Sequence, residues 1–216
     1  VTALLARLSP DWPDAASDDA PVVLLLHGLG SNENDLPSLA PWLPVGLAWA
    51  SLRAPIEMDW GGATWFPFDL PSSPDQVPDE PEPSAIDAAT EAIWGWVEAH
   101  VPPTVPVVPF GFSQGGLMAL QLLRTRPERV AATVVLSGLI AGAAQSADDT
   151  LTQSRPPVFW GRGTADTVIW QEAIERTTAW LPGHSTLTER VYDGLGHGIN
   201  DNEMDDVRAF LSEHVR

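Results

Sequence analysis

Three side chains lying far apart along the chain, Ser113, Asp166 and His197, have between them the chemistry of nucleophilic acyl transfer. A serine hydroxyl is a poor nucleophile near neutral pH and needs a base to take its proton. Ser113 stands in Gly111-Phe-Ser-Gln-Gly115, a G-x-S-x-G pattern set directly after the apolar run Val105 to Phe110 and before a helical pattern opening at Gly115. A tight turn from strand to helix pushes the serine hydroxyl out at the end of a sheet, and the flanking glycines leave room for the strained backbone. The bland alternative is an ordinary glycine-rich turn between a strand and a helix.

Five histidines compete for the role of base: His27, His100, His184, His197 and His214. His197 lies in Asp193-Gly-Leu-Gly-His-Gly198, a loop after the last expected strand, where it can swing over the carboxyl ends of a sheet. His100 and His214 fall at helix ends, where they face the negative end of the dipole. His184 follows Pro182-Gly183 and reads as turn, while His27 ends the first long apolar strand and reads as an orienter of the next loop. The acid that fixes the histidine tautomer must lie between the serine and the histidine in this chain order. Asp166, just after the apolar run Pro157 to Gly161, meets that condition; Asp148 and Asp149, in what reads as a solvated polar loop, and Asp193 are the alternatives.

Acyl transfer also needs donors aimed where negative charge develops, and losing one costs on the order of 3 kcal/mol. The backbone N–H groups of Leu29, in His27-Gly-Leu-Gly30, and of Gln114, at the head of the helix, are placed to supply two. Gly28-Leu-Gly30 could also begin a dinucleotide fingerprint, but position 33 is Glu33 and the third glycine is missing. Trp65 and Phe66, in the aromatic cluster Trp60 to Phe68, are candidates for the wall of an acyl or alcohol pocket, or else ordinary packing residues. No set of histidines and carboxylates is spaced to share a metal.

Positioning these groups requires a particular scaffold. The run Pro21 to His27 is continuously apolar, as expected of a parallel strand covered on both faces. Similar runs at 47–52, 105–110, 131–137, 157–161 and 186–192 bring the expected count of strands to about six. Helical patterns alternate with them: one capped at Ser84 with Ile86, Ala89, Ile93 and Val97 on one face, then 115–126, 169–181 and 203–214. The alternation predicts an α/β fold with a mostly parallel, doubly wound sheet and helices on both faces. The stretch 67–83, rich in proline and acid, admits neither ladder nor helix and reads as a surface connector or a lid.

Bulk properties narrow the partners. A chain of 216 residues fits a single domain spanning 1–216. The formal charge of -18 repels phosphate backbones and anionic head groups, which argues against nucleic acid and against stable membrane association. With no cysteine there is neither a disulfide nor a thiolate nucleophile. The N-terminal apolar patch Leu4, Leu5 and Leu8 is interrupted by Arg7 and is too short for a leader or a span, so a cytoplasmic location is expected. A homodimer is compatible with the sequence but not called for by it.

Four stretches, Leu26-His-Gly-Leu-Gly-Ser31, Gly111-Phe-Ser-Gln-Gly-Gly116, Gly163-Thr-Ala-Asp-Thr-Val168 and Gly194-Leu-Gly-His-Gly198, together resemble the phospholipase/carboxylesterase family of α/β-hydrolases, which includes the acyl-protein thioesterases. The resemblance implies an α/β-hydrolase fold with a minimal cap domain or none, and a cofactor-free esterase using Ser113, Asp166 and His197 with backbone groups of Leu29 and Gln114 on the oxyanion. Ser31-Asn-Glu-Asn-Asp-Leu36 and the acidic proline-rich stretch depart from thioesterase-type members, which points away from long-chain acyl-protein substrates.

The expectation is therefore a serine carboxylesterase acting on small to medium neutral esters. Lysophospholipase, acyl-thioesterase, peptidase or amidase activity on the same three residues are its rivals, as is a non-catalytic binding protein of the same fold.

Overall fold

In the computed structural model, which describes residues 4–10, 12, 20–69 and 78–215, the strands are β1 (Ala6–Leu8), β2 (Val22–Leu26), β3 (Trp49–Leu52), β4 (Ile56–Glu57), β5 (Ala63–Thr64), β6 (Val107–Phe112), β7 (Thr133–Leu136), β8 (Pro157–Gly163) and β9 (Thr186–Tyr192). Among the described residues seven of them form one sheet in the order β1-β3-β2-β6-β7-β8-β9, and β4 pairs with β5 in a small hairpin. Every pairing in the large sheet is parallel except that of β1 with β3. The expected six strands are all present. The additions are β1, β4 and β5, three residues or fewer each, in which a period of two has no room to show.

Helices α1 (Pro83–His100), α2 (Gln114–Thr125), α3 (Asp148–Ser154), α4 (Gln171–His184) and α5 (Asp201–His214) connect the strands and cover both faces. Successive residues of β2 serve opposite sides: Val22, Leu24 and Leu26 pack with Ile93, Leu117 and Leu181, whereas Val23 and Leu25 pack with Met204, Val207 and Phe210. Burial on two faces is why that strand is apolar throughout instead of alternating.

The helix ends correct the sequence reading in several places. Ser84 does not cap α1; Pro83 occupies the first turn, where its missing N–H costs nothing, and Glu82 holds the cap position. The helix expected at 169–181 starts two residues later, at Gln171, so Ile169 and Trp170 are loop residues. At the start of α5, Asn200 caps the Glu203 amide at 2.9 Å. His184 is no turn residue but the last residue of α4, stacked on Trp180 with its Nδ1 2.7 Å from the Trp180 carbonyl oxygen.

Asp148 and Asp149 open α3 instead of sitting in a loop. Asp148 is not solvated as expected: it accepts two hydrogen bonds from the buried Arg124, at 2.9 and 2.7 Å. That engagement withdraws it from any catalytic role.

After the antiparallel edge strand β1, the parallel part of the sheet begins at β2, winds outward to β3, and returns to β6 on the other side of β2 before proceeding to β9. The direction of winding reverses between β2 and β6, the point at which crevices open at the carboxyl ends of an α/β sheet. Among the described residues no helix is long and apolar enough to cross a membrane. Of the proline-rich stretch, residues 70–77 lie outside the described residues, while Phe68 and Pro81 on either side of them both reach the crevice.

Candidate active site

Ser113 follows β6 directly and sits at the N-cap of α2 with φ 55° and ψ -117°. A non-glycine residue is held there only when its surroundings force it. The forcing comes from close packing: a Cβ at Gly111 would fall 2.0 Å from the Gly115 carbonyl oxygen, and one at Gly115 would fall 1.9 Å from that of Leu26. The Ser113 amide also donates to the Leu136 carbonyl at 2.9 Å, tying the turn to β7.

Asp166 and His197 occupy the loops after β8 and β9, which are fastened together. Ala165 donates its amide to the Leu195 carbonyl at 2.9 Å and Thr164 donates to Tyr192 at 3.0 Å. The structure brings the three expected side chains into one line. Ser113 Oγ lies 2.9 Å from His197 Nε2, and His197 Nδ1 lies 2.8 Å from Asp166 Oδ2. The other carboxylate oxygen of Asp166 accepts the amides of Val168 and Ile169 at 2.9 and 3.2 Å.

Burial pushes the Asp166 carboxyl group up, but the hydrogen bond and charge of His197 and those two amides outweigh it and hold the acid below its ordinary range. An ionised Asp166 keeps the proton of the imidazole on Nδ1 and leaves Nε2 free to accept the Ser113 proton. Phe112 packs against the imidazole with ring centroids 5.0 Å apart. Asp193 is engaged elsewhere: it accepts the Thr164 hydroxyl at 3.2 Å, and that hydroxyl accepts the Gly194 amide at 2.8 Å.

Leu29 and Gln114, the residues expected to supply backbone donors, line the same cleft as Ser113. Gln114 is the first residue of α2, so its amide has no acceptor within the helix. The Leu29 amide has no protein acceptor among the described residues, and its loop is pinned on both sides. On one side the Gly30 amide donates to Ala63 at 2.9 Å and Ala63 donates back to Ser31 at 2.8 Å. On the other, the wholly buried His27 accepts the Ala54 amide at Nε2 (3.1 Å), which leaves Nδ1–H to donate to the Gly28 carbonyl (2.8 Å). Burial lowers the pKa of His27 and keeps it neutral, in keeping with a loop-orienting part.

The serine opens into a cleft lined by Leu29, Gln114 and a set of apolar side chains. Of the two aromatic residues expected to wall it, Phe66 does so and Trp65 does not. Trp65 is a core residue, 1% exposed, with its indole N–H donated to the His27 carbonyl at 2.9 Å.

Sequence reasoning missed Phe68, Leu117, Leu139, Val168, Ile169 and Trp170, which supply most of the wall. The proximity of 168–170 to Asp166 and the place of Phe68 in the aromatic cluster were the available signals. None of the described side chains lining the cleft is charged. The remaining polar feature is the Gln114 side chain, whose Nε2 donates to the Phe66 carbonyl at 2.9 Å while Oε1 accepts the Trp65 amide at 3.0 Å.

Comparison with known proteins places this arrangement in context. The sequence profile of the Phospholipase/Carboxylesterase family matches residues 14–215. A probable carboxylesterase of Oryza sativa subsp. japonica is 27% identical over 99% of this chain and 85% of its own length. Acyl-protein thioesterase 1 of Cryptococcus neoformans is 24% identical over 90% of this chain and 92% of its own. The crystal structure of esterase PE8 is similar in fold, with a TM-score of 0.75 and 24% identity, covering 99% of this chain and 100% of that one.

Proposed function

The chain belongs to the phospholipase/carboxylesterase family of ester-hydrolysing α/β-hydrolases, and we propose that it is a serine carboxylesterase that cleaves small to medium neutral esters through an acyl-enzyme on Ser113. The observation that carries this reading is the relay of 2.9 and 2.8 Å from Ser113 through His197 to Asp166 at the floor of an uncharged apolar cleft.

In the first half-reaction Nε2 of His197 takes the Ser113 proton as Oγ attacks the ester carbonyl carbon. The carbonyl oxygen becomes an oxyanion that accepts the Leu29 and Gln114 N–H groups, while ionised Asp166 stabilises the imidazolium. The imidazolium then gives its proton to the departing alkoxide, which leaves as the alcohol. In the second half, water loses a proton to the same nitrogen and attacks the acyl-enzyme, releasing the acid and restoring Ser113. Every group required is in the chain, and no metal or cofactor enters any step.

The apolar lining supports a neutral acyl group, and the formal charge of -18 supports discrimination against anionic esters on approach, lysophospholipids with net charge included. A thioester reading uses the same steps, and the likeness to acyl-protein thioesterase 1 is the finding in its favour. Relative turnover of matched oxygen and sulfur esters separates the two.

The test of the central reading is covalent labelling with a fluorophosphonate. One equivalent should attach at Ser113, and Ser113→Ala should abolish both labelling and turnover of p-nitrophenyl acetate with the fold intact. Labelling at another residue, or substantial turnover by Ser113→Ala, would rule out the assignment. An unlabelled but folded wild-type protein would favour a non-catalytic binding protein.

A further inference from the structure

Part of the wall of the cleft is a contact between two aromatic rings from separate parts of the chain. Phe68 and Trp170 stack with centroids 5.8 Å apart and planes 19° from parallel, and both rings line the cleft into which Ser113 opens. Each is half-buried, so the pair is neither core filler nor free surface.

Both rings are carried on segments anchored in the machinery itself. Trp170 stands at the N-cap of α4, directly after Val168 and Ile169, whose amides hold Asp166. Phe68 lies two residues beyond Phe66, whose carbonyl accepts the Gln114 side chain. A third piece closes beside them: Pro81 also lines the cleft, and the neighbouring Glu80 is paired with Arg176 of α4 at 2.7 Å.

Resting on the esterase reading above, we infer that the Phe68–Trp170 stack is the selectivity element of this enzyme, a stop that limits the length of the acyl chain. An acyl group that outgrows the space in front of the rings must part them or fold back. Parting them gives up the stack and the burial of both faces, whereas a short acyl group leaves the contact untouched. The substrate class follows: esters of short acyl chains in preference to those of long linear fatty acids. Packing alone would also explain two touching rings, but it predicts no dependence on substrate length.

The experiment is a series of p-nitrophenyl esters from acetate to decanoate, run on the wild type, Phe68→Ala and Trp170→Ala, with fluorophosphonate labelling of Ser113 in each. One methylene that does or does not fit an apolar pocket is worth roughly tenfold or more in kcat/KM. We expect the wild type to favour the short end, and the ratio of kcat/KM for octanoate over acetate to rise at least about tenfold in both variants. Labelling of all three proteins with an unchanged ratio overturns this inference and leaves the esterase reading standing. A folded wild-type protein that neither labels nor turns over any ester overturns the esterase reading, and the inference with it. Phe68→Leu and Trp170→Leu, which keep apolar bulk and remove the stack, serve where thermal unfolding shows an alanine variant to be unfolded. A raised ratio supports the stop and an unchanged ratio refutes it.

Discussion

The carboxyl group of Glu203 in α5 lies against the backbone of Gly161 in β8, so close that a Cβ on that glycine would stand 2.0 Å from Oε1. Glu203 is wholly buried, and neither carboxyl oxygen has a hydrogen-bond partner among the described residues. Burial first, then the charge of Asp206, push its pKa from an ordinary 4.5 to about 8, so the group is mostly protonated in neutral solution. In the window between those two values the folded chain holds a proton that the unfolded chain has released. Stability must then fall as pH rises through the window, by up to about 1.4 kcal/mol per pH unit, and level off above it. Glu203→Gln has no such proton to lose. Its melting temperature relative to wild type should climb steadily from mildly acidic pH to about pH 8, and a gap independent of pH would show Glu203 to be ionised in the native state.

Gly161→Ala probes the same contact from the other side. The carboxyl group that must give way is itself wholly buried, so the alanine should destabilise by about 1–3 kcal/mol, as overpacking does. Denaturant unfolding measures it. Because the strand leads into the Asp166 loop, esterase turnover should fall in step.

Asp166→Asn is expected to fold normally and to lose about 10⁴ in kcat. The carboxylate now accepts the imidazole Nδ1–H on one oxygen and two amides on the other, and an asparagine can satisfy only one of these sides with an oxygen. Turning its NH₂ toward His197 forces the tautomer that carries the proton on Nε2, which cannot accept from Ser113. Single-turnover acylation by p-nitrophenyl acetate checks it, and a rate within tenfold of wild type would place the tautomer control elsewhere.

How far these features could be read in advance depended on how local their causes were. Ser113, Asp166 and His197 each follow a parallel strand in a loop marked by glycine, so the loops announced themselves. The role of Asp148 was hidden because its partner, Arg124, lies 24 residues away, and no local pattern distinguishes a paired acid from a solvated one. Trp65 and Phe66 show the same limit at closer range. Which of two adjacent aromatics faces the cleft depends on the register of Ala63 against Ser31, which is a tertiary fact. Leu117 and Leu139 have the composition of core residues and happen to border the cleft, a distinction drawn by the topology of the sheet and not by their type.

Gln114 offers the sharpest remaining test, because its backbone and its side chain do separate work. The backbone N–H is the proposed donor to the oxyanion, while the buried carboxamide spans the segment that forms the cleft wall. Its Oε1 accepts the Trp65 amide and lies 3.0 Å from the Thr64 hydroxyl, and Nε2 donates to the Phe66 carbonyl. Gln114→Ala keeps the backbone donor and removes the clamp, leaving a buried amide unpartnered at a cost of about 1–3 kcal/mol. The wall bearing Phe66 should loosen, so KM should rise for every ester, and kcat should fall less. Gln114→Glu keeps an acceptor for the Trp65 amide but sets a carboxylate oxygen against the Phe66 carbonyl and a negative charge beside the developing oxyanion. Its kcat should drop by about 10² or more, since that charge opposes what the two N–H donors stabilise. Steady-state kinetics on both variants decides the matter: equal losses in kcat from alanine and glutamate would mean that the carboxamide, and not the charge placed there, governs the chemical step.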